Sequence, residues 1–234
     1  MIIEHKKNRF LYLFKGLSTL FIYFFISYIR DIPFYLFRIN IEDIPQTTYK
    51  IYLLIIEITI ALLIYIIYEN EINLAIEDIK ENHQKYFDKY FKVYIIGILI
   101  MLASNIIISF VGGAMASNET AVRNEFNSFP ITTYLSAVFI APFVEEFVFR
   151  LGIKSIFKNN IIYILVSGVL FGYLHIMTMP VNILLPLYLI SYSAPGIAFA
   201  YMMAKSNNIL ISSWFHFMHN GLLMALQVFL LIFS

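Results

Sequence analysis

Ala141-Pro142-Phe143-Val144-Glu145-Glu146-Phe147-Val148-Phe149-Arg150 reads as part of a membrane helix that holds two carboxylates and a guanidinium. An ionisable side chain at the centre of a bilayer costs about 2.5–3.5 kcal/mol on insertion scales. Such residues face the bundle interior, pair with one another, and mark proton relays, ion paths or catalytic sites. This stretch therefore decides two things. The chain must be a helical bundle that shelters these groups, and its function is to be sought around them.

The rest of the chain fits that bundle. Of its 234 residues 60% are hydrophobic and 13% charged, and the mean hydropathy is +0.78. A soluble domain is nearer 45–50% apolar and about 25% charged. The expected fold class is all-α, a polytopic transmembrane bundle of about seven to eight spans, multi-pass in the cell membrane. The net charge of +1 gives no sign of a nucleic-acid partner. The 23 Phe and 17 Tyr read as membrane packing and interfacial belts, not base-stacking platforms. With no cysteine, disulfides, Cys-ligated zinc and thiol nucleophiles are excluded.

A spanning helix needs about 20 mostly apolar residues. Candidate spans are 11–29, 51–68, 93–115, 132–152, 161–178, 183–204 and 209–232. The first follows His5-Lys6-Lys7-Asn8-Arg9 and exits through Ile29-Arg30-Asp31-Ile32-Pro33 with no small-residue cleavage site, so it reads as a retained helix rather than a signal peptide. Between the second and third spans, residues 69–92 are rich in Glu, Asp and Lys. Ile72, Ala75, Ile76 and Ile79 recur there at helical spacing, which predicts a cytoplasmic amphipathic segment. Residues 1–130 form the N-terminal helices and 131–234 a second group of spans, within one membrane domain. With the N-terminus inside, Lys6, Lys7, Arg9, Lys15, Lys80, Lys85, Lys89, Lys92, Lys154, Lys158 and Lys205 fall on the cytoplasmic side. Arg30, Arg38, Lys50 and Arg123 fall outside, as the positive-inside bias requires. Seven spans put the C-terminus outside. A further re-entrant segment is to be looked for at Arg30–Arg38, around Pro33.

The intramembrane ionisable set is Glu57, Glu145, Glu146, Arg150, His175, His216 and His219. Glu145 precedes Asn160 by as many residues as His175 follows it, so both lie roughly 20 Å from that turn in an antiparallel hairpin. His216 and Asn220 lie about 14–20 Å beyond the next inner turn, near Asn207, and share one helix face at i, i+4. Glu146 and Arg150 have the same spacing, acid before base. A carboxyl group in an apolar setting can serve as a general base on water. A neighbouring imidazole can orient that water, and a second imidazole with an amide can donate to a developing oxyanion. The same side chains could instead hold a metal, since His and Glu are usual zinc ligands. There is no His-Glu-x-x-His, no Asp lies within a span, and Leu165 stands where a Gly-x-Ser-Gly motif ending at Ser167-Gly168 needs glycine.

Three motifs resemble the CPBP family, named for CAAX proteases and bacteriocin-processing enzymes. Glu145-Glu146-Phe-Val-Phe-Arg150 matches Glu-Glu-x-x-x-Arg. Phe171-Gly-Tyr-Leu-His175 matches Phe-x-x-x-His, and His216-Phe-Met-His-Asn220 matches His-x-x-x-Asn. They occur in order, each on its own span, over about residues 130–230. The resemblance implies an intramembrane endopeptidase in which Glu145 and His175 activate the hydrolytic water and His216 and Asn220 stabilise the oxyanion. Glu146, Arg150 and Phe171 would support them. The family has been described both as metalloproteases and as metal-independent glutamate proteases. A divalent metal such as zinc, if used, would fall to Glu145, His175 and His216. The implied partners are the bilayer and a peptide or membrane-protein substrate. The best-described fold of the family has eight helices, against seven spans here. The alternative function is a non-catalytic bacteriocin self-immunity or membrane scaffold protein of the same fold. A proton-coupled transporter is a third class, without a transporter repeat to support it.

Plainer structural roles compete at several positions. His219 matches no motif position and reads as packing. Glu57 reads as a helix-interface or cavity carboxylate. Pro142 either kinks its span, opening backbone carbonyls, or merely packs. Gly168 and Gly172, four apart, predict close helix contact. Pro195-Gly196 is a candidate helix break beside the site.

Overall fold

The computed structural model describes residues 9–233, and every regular element among them is a helix. His5, Lys6 and Lys7 of the expected basic start lie outside the described residues. The helices are α1 (Arg9–Ile29), α2 (Gln46–Phe110), α3 (Ser117–Ser128), α4 (130–156), α5 (Asn160–Ile176), α6 (Leu185–Ser206) and α7 (Ile209–Phe233). By length and composition Arg9–Leu36, Gln46–Phe110, Leu185–Ser206 and Ile209–Phe229 can cross a membrane, and α5 is a shorter apolar helix. The Arg30–Arg38 stretch holds only a short helical turn, Ile32–Leu36, rather than a span.

The main departure from expectation is α2. Its 65 residues take in the second span, the amphipathic stretch and most of the third span. Straight, it would reach about 98 Å, some three times a hydrocarbon core of about 30 Å. It is not straight, because Tyr68 leaves helical geometry (φ −115°, ψ 17°). Before the kink, Lys50 meets Glu125, Glu57 meets Ser136, and the Tyr68 ring meets Phe147. That order runs parallel to α4. After it, Asp78 meets Asn208, Gly97 meets Ala198, and Asn105 meets Ser191, an order antiparallel to α6. Both α4 and α6 run antiparallel to α5, so α2 changes direction relative to the bundle after Tyr68. Two expected spans are thus present but share one helix. Residues 69–92 contain neither Gly nor Pro to stop it. Within that stretch Ile72 and Ala75 face inward, while Ile76 is exposed.

α1 clamps the kink. Thr19 Oγ1 donates to the Tyr68 hydroxyl at 3.3 Å, and Lys15 Nζ reaches Glu71, just past the kink, at 2.7 Å. The core around α4 gathers Ile64, Tyr68, Phe147, Leu151, Tyr163 and Met203.

The last helices are joined by tight asparagine turns. Asn159 caps α5, its side chain accepting from the N–H groups of Ile161 and Ile162. Asn207 ends α6 in the left-handed region (φ 54°), and Asn208 Oδ1 accepts from the N–H of Leu210 to start α7. α5 and α6 touch through the predicted glycines. A Cβ on Gly168 or Gly172 would stand 2.7 Å from the backbone nitrogen of Ile197 or Ser193. Pro195 stays inside α6, which runs on through it, so the expected break there does not occur.

Candidate active site

α4 supplies the two glutamates and is not a regular α-helix. Its turns at Ser136–Ile140 and Phe147–Gly152 are π-helical, and Pro142 lies between them. In the wider turn the Ala141 N–H reaches the Ser136 carbonyl. The next bond, to Ala137, would need an N–H from residue 142, and proline has none. The side-chain amide of Asn220 donates to that carbonyl instead, at 2.7 Å. Pro142 therefore does free a backbone carbonyl, and the carbonyl captures a motif residue from α7.

Glu146 and Arg150 are both fully buried. Arg150 Nε and Nη2 each donate to Glu146 at 3.0 Å, a bidentate pair. Arg150 Nη1 donates to Ser167 Oγ at 2.8 Å, and Ser167 Oγ in turn donates to the Phe149 carbonyl. The guanidinium lies 5.1 Å from the Phe171 ring centre and 5.9 Å from that of Phe199. A buried ion pair is tolerated when its remaining donors are satisfied in this way.

Glu146 does more than pair with arginine. Its Oε1 also lies 3.0 Å from His216 Nδ1. The imidazole stacks on Phe199 with ring centres 4.9 Å apart. Nε2 of His216 is then 3.8 Å from Glu145 Oε2. Among the described residues the Glu145 carboxylate accepts no hydrogen bond, and its side chain is 19% exposed against 0% for Glu146. The adjacent carboxylates are thus one locked and one open.

His175 lies on the face of α5 that also carries Ser167 and Phe171. Its Nδ1 donates to the Phe171 carbonyl at 2.8 Å, which leaves Nε2 free. The ring is held between Phe171 and Tyr192, the latter stacked at 5.0 Å. No hydrogen bond or ion pair joins His175 to Glu145 among the described residues. The equidistant count from Asn160 explains part of this: it pairs Arg150 with residue 170, whereas Arg150 meets Ser167. Phe171 links the two histidines, with ring centres 4.5 Å from His175 and 5.5 Å from His216.

His219 turns away from the carboxylates. Its Nδ1 lies 3.5 Å from the Tyr94 hydroxyl, in the packing role expected of it. Glu57 accepts from Ser136 Oγ at 2.6 Å, at the α2–α4 interface. Among the described residues no group of three or more His, Asp or Glu side chains stands at metal-holding spacing. The set to which a metal, if used, would fall, Glu145, His175 and His216, is not gathered at that spacing, and nothing among the described residues supports the metalloprotease reading.

Three contributors escape the motif reading: Ser167, Tyr192 and Phe199. Ser167 is within reach, since 167, 171 and 175 repeat at i, i+4. The other two contact site residues on different helices, and no local spacing reveals that.

Residues 127–222 match the family described as Rce1-like, "Type II CAAX prenyl endopeptidase Rce1-like". A relative from Bacillus subtilis, described as "Putative membrane peptidase YdiL", is 27% identical over 122 residues, covering 50% of this chain and 45% of its own. The chain thus spans about half the length of that relative. No solved structure matches. The family match takes in all three motifs, from Glu145 to Asn220. Residues 127–222 of this integral membrane chain, with all three motifs inside them, are thus similar to the Rce1-like endopeptidase family, the kind of protein that the CPBP resemblance leads one to expect.

Proposed function

We propose that the chain is an intramembrane endopeptidase of the cell membrane that hydrolyses a peptide bond of a membrane-associated protein or peptide, with residues 131–234 as its catalytic core. The observation that carries this is the open Glu145 carboxylate facing the free Nε2 of an imidazole whose other nitrogen is anchored by Glu146. A gap of 3.8 Å is too long for a direct hydrogen bond and leaves a water able to touch both groups. Glu145 takes a proton from that water as its oxygen attacks the scissile carbonyl, and later returns the proton to the departing amine. Glu146 holds the His216 ring through Nδ1, as the carboxylate orients the imidazole in a catalytic triad, so that Nε2 faces the developing oxyanion and donates to it when it carries a proton. Asn220 has one amide hydrogen on Ala137 and a second left for the same oxygen. His175, with Nδ1 tied to Phe171, offers Nε2 as an acceptor that orients the water.

The test is to compare membrane proteomes of cells carrying wild type, Glu145→Gln and His175→Ala, then to assay the accumulating protein as a substrate in liposomes. Both variants are expected to insert normally and to leave that substrate uncut. Full cleavage by either overturns the mechanism. A physiological effect that survives Glu145→Gln supports the immunity or scaffold reading instead.

A further inference from the structure

A groove of about 510 Å³ runs along the bundle away from the carboxylates. α6 forms its floor. Val93, Gly97 and Ile100 of α2 line one wall, and Ile164 and Val169 of α5 the other. It exists because the facing residues are small. A Cβ on Gly97 would come 3.1 Å from that of Ala198, and Ser193 and Ala194 continue the floor. Only Ser193 and Tyr201 among the lining residues carry polar side-chain atoms. None of Glu145, Glu146, His175 or His216 borders it.

The two longer stripes of the groove end in lysine at the same side. Val93, Gly97 and Ile100 sit on one face of α2, and Lys89 is one turn before Val93. Lys92 is likewise one turn before Ile96, another lining residue. On α6, Lys205 is one turn beyond Tyr201 and lies 5.8 Å from its ring centre. Lys89 lies 5.2 Å from the ring centre of Tyr90. All three lysines are exposed, and none forms an ion pair among the described residues. The lysine bias of the whole chain assigns this end to the cytoplasmic side. Apolar trench and cationic rim are therefore arranged along the membrane normal as a phospholipid is. Basic clusters at the inner ends of membrane helices attract anionic headgroups.

We infer that this groove is a binding site for an anionic phospholipid of the inner leaflet, with an acyl chain between α2 and α5 and its phosphate at Lys89, Lys92 and Lys205. The site is independent of the proposed hydrolysis. The test uses the full chain, purified in detergent and given equal amounts of phosphatidylglycerol and phosphatidylcholine. Retained lipid is read by native mass spectrometry. Wild type is expected to keep phosphatidylglycerol several-fold over phosphatidylcholine. Combined Lys89→Gln, Lys92→Gln and Lys205→Gln should erase that preference. Val169→Trp should reduce retention of both lipids by filling the trench. Ile190→Trp, at another exposed lining position, repeats the test if the first variant folds poorly. Equal retention of the two lipids by wild type, an unchanged preference in the lysine variant, or undiminished retention in both folded tryptophan variants overturns the proposal.

Discussion

Glu145 and Glu146 are neighbours in sequence with opposite surroundings. Glu146 is closed in by Arg150 and His216, while Glu145 is left open beside His216 Nε2. Removing one partner of a buried ion pair leaves an uncompensated charge, which costs about 3–5 kcal/mol. Arg150→Met should therefore lower the unfolding free energy by about that amount, because it strands the Glu146 carboxylate. Glu145→Gln touches no such bond and should leave stability within about 0.5 kcal/mol, as substitutions away from strong couplings do. Unfolding of both variants in mild detergent, followed by circular dichroism, separates these outcomes. Equal losses would mean that Glu145 is also part of the structural lock. The i, i+4 spacing of Glu146 and Arg150 already divides the pair in the sequence. It does not show that His216 is shared, since that contact joins residues seventy positions apart.

At the scale of the element, α4 and α7 are coupled through one missing hydrogen. Pro142 cannot serve the Ala137 carbonyl, so Asn220 does. In the wild type, Asn220→Ala leaves that carbonyl without a donor, a loss of about 1–3 kcal/mol for a buried group. In a Pro142→Ala background, the restored N–H can serve it, and the same Asn220→Ala change should cost much less. The double-mutant cycle should give a coupling of about 0.5–3 kcal/mol, measured from unfolding of the four proteins. Additive losses would show that the π-turn has another cause. Element by element, most of the bundle was legible: α1, α5, α6 and α7 lie within a few residues of their hydropathy windows, and Asn159 and Asn207 mark the turns. Hydropathy sees apolar runs, so it divided α2 where the run became polar. Helix continuity depends on the absence of Gly and Pro, and α2 shows which of the two governs the backbone. The site was legible as a set of residues but less so as a geometry. Motif spacing fixes which face a side chain takes, whereas the offset between α4 and α5 depends on packing and on the π-turns of α4.

For the whole molecule, the change of direction after Tyr68 determines which ends of the helices share a side. If the first part of α2 runs inward beside α4 and its last part runs outward against α6, Lys85 must lie on the same side as Lys158. Gln46, Asn124 and Val181 must lie on the other. The chain has no cysteine, so single substitutions can report sidedness without background. All five positions are exposed. With a membrane-impermeant maleimide applied to intact cells, Gln46→Cys, Asn124→Cys and Val181→Cys should be labelled. Lys85→Cys and Lys158→Cys should be labelled only after the membrane is opened, as the lysine bias requires. Labelling of Lys85→Cys from outside while Lys158→Cys stays protected would mean that α2 does not reverse after Tyr68. It would also remove Lys89 and Lys92 from the inner leaflet, and with them the headgroup end of the lipid site. A wholly inverted pattern would keep the bundle intact and turn it over. Glu145 would stay at its depth, but the substrates proposed for it would have to approach from the opposite face.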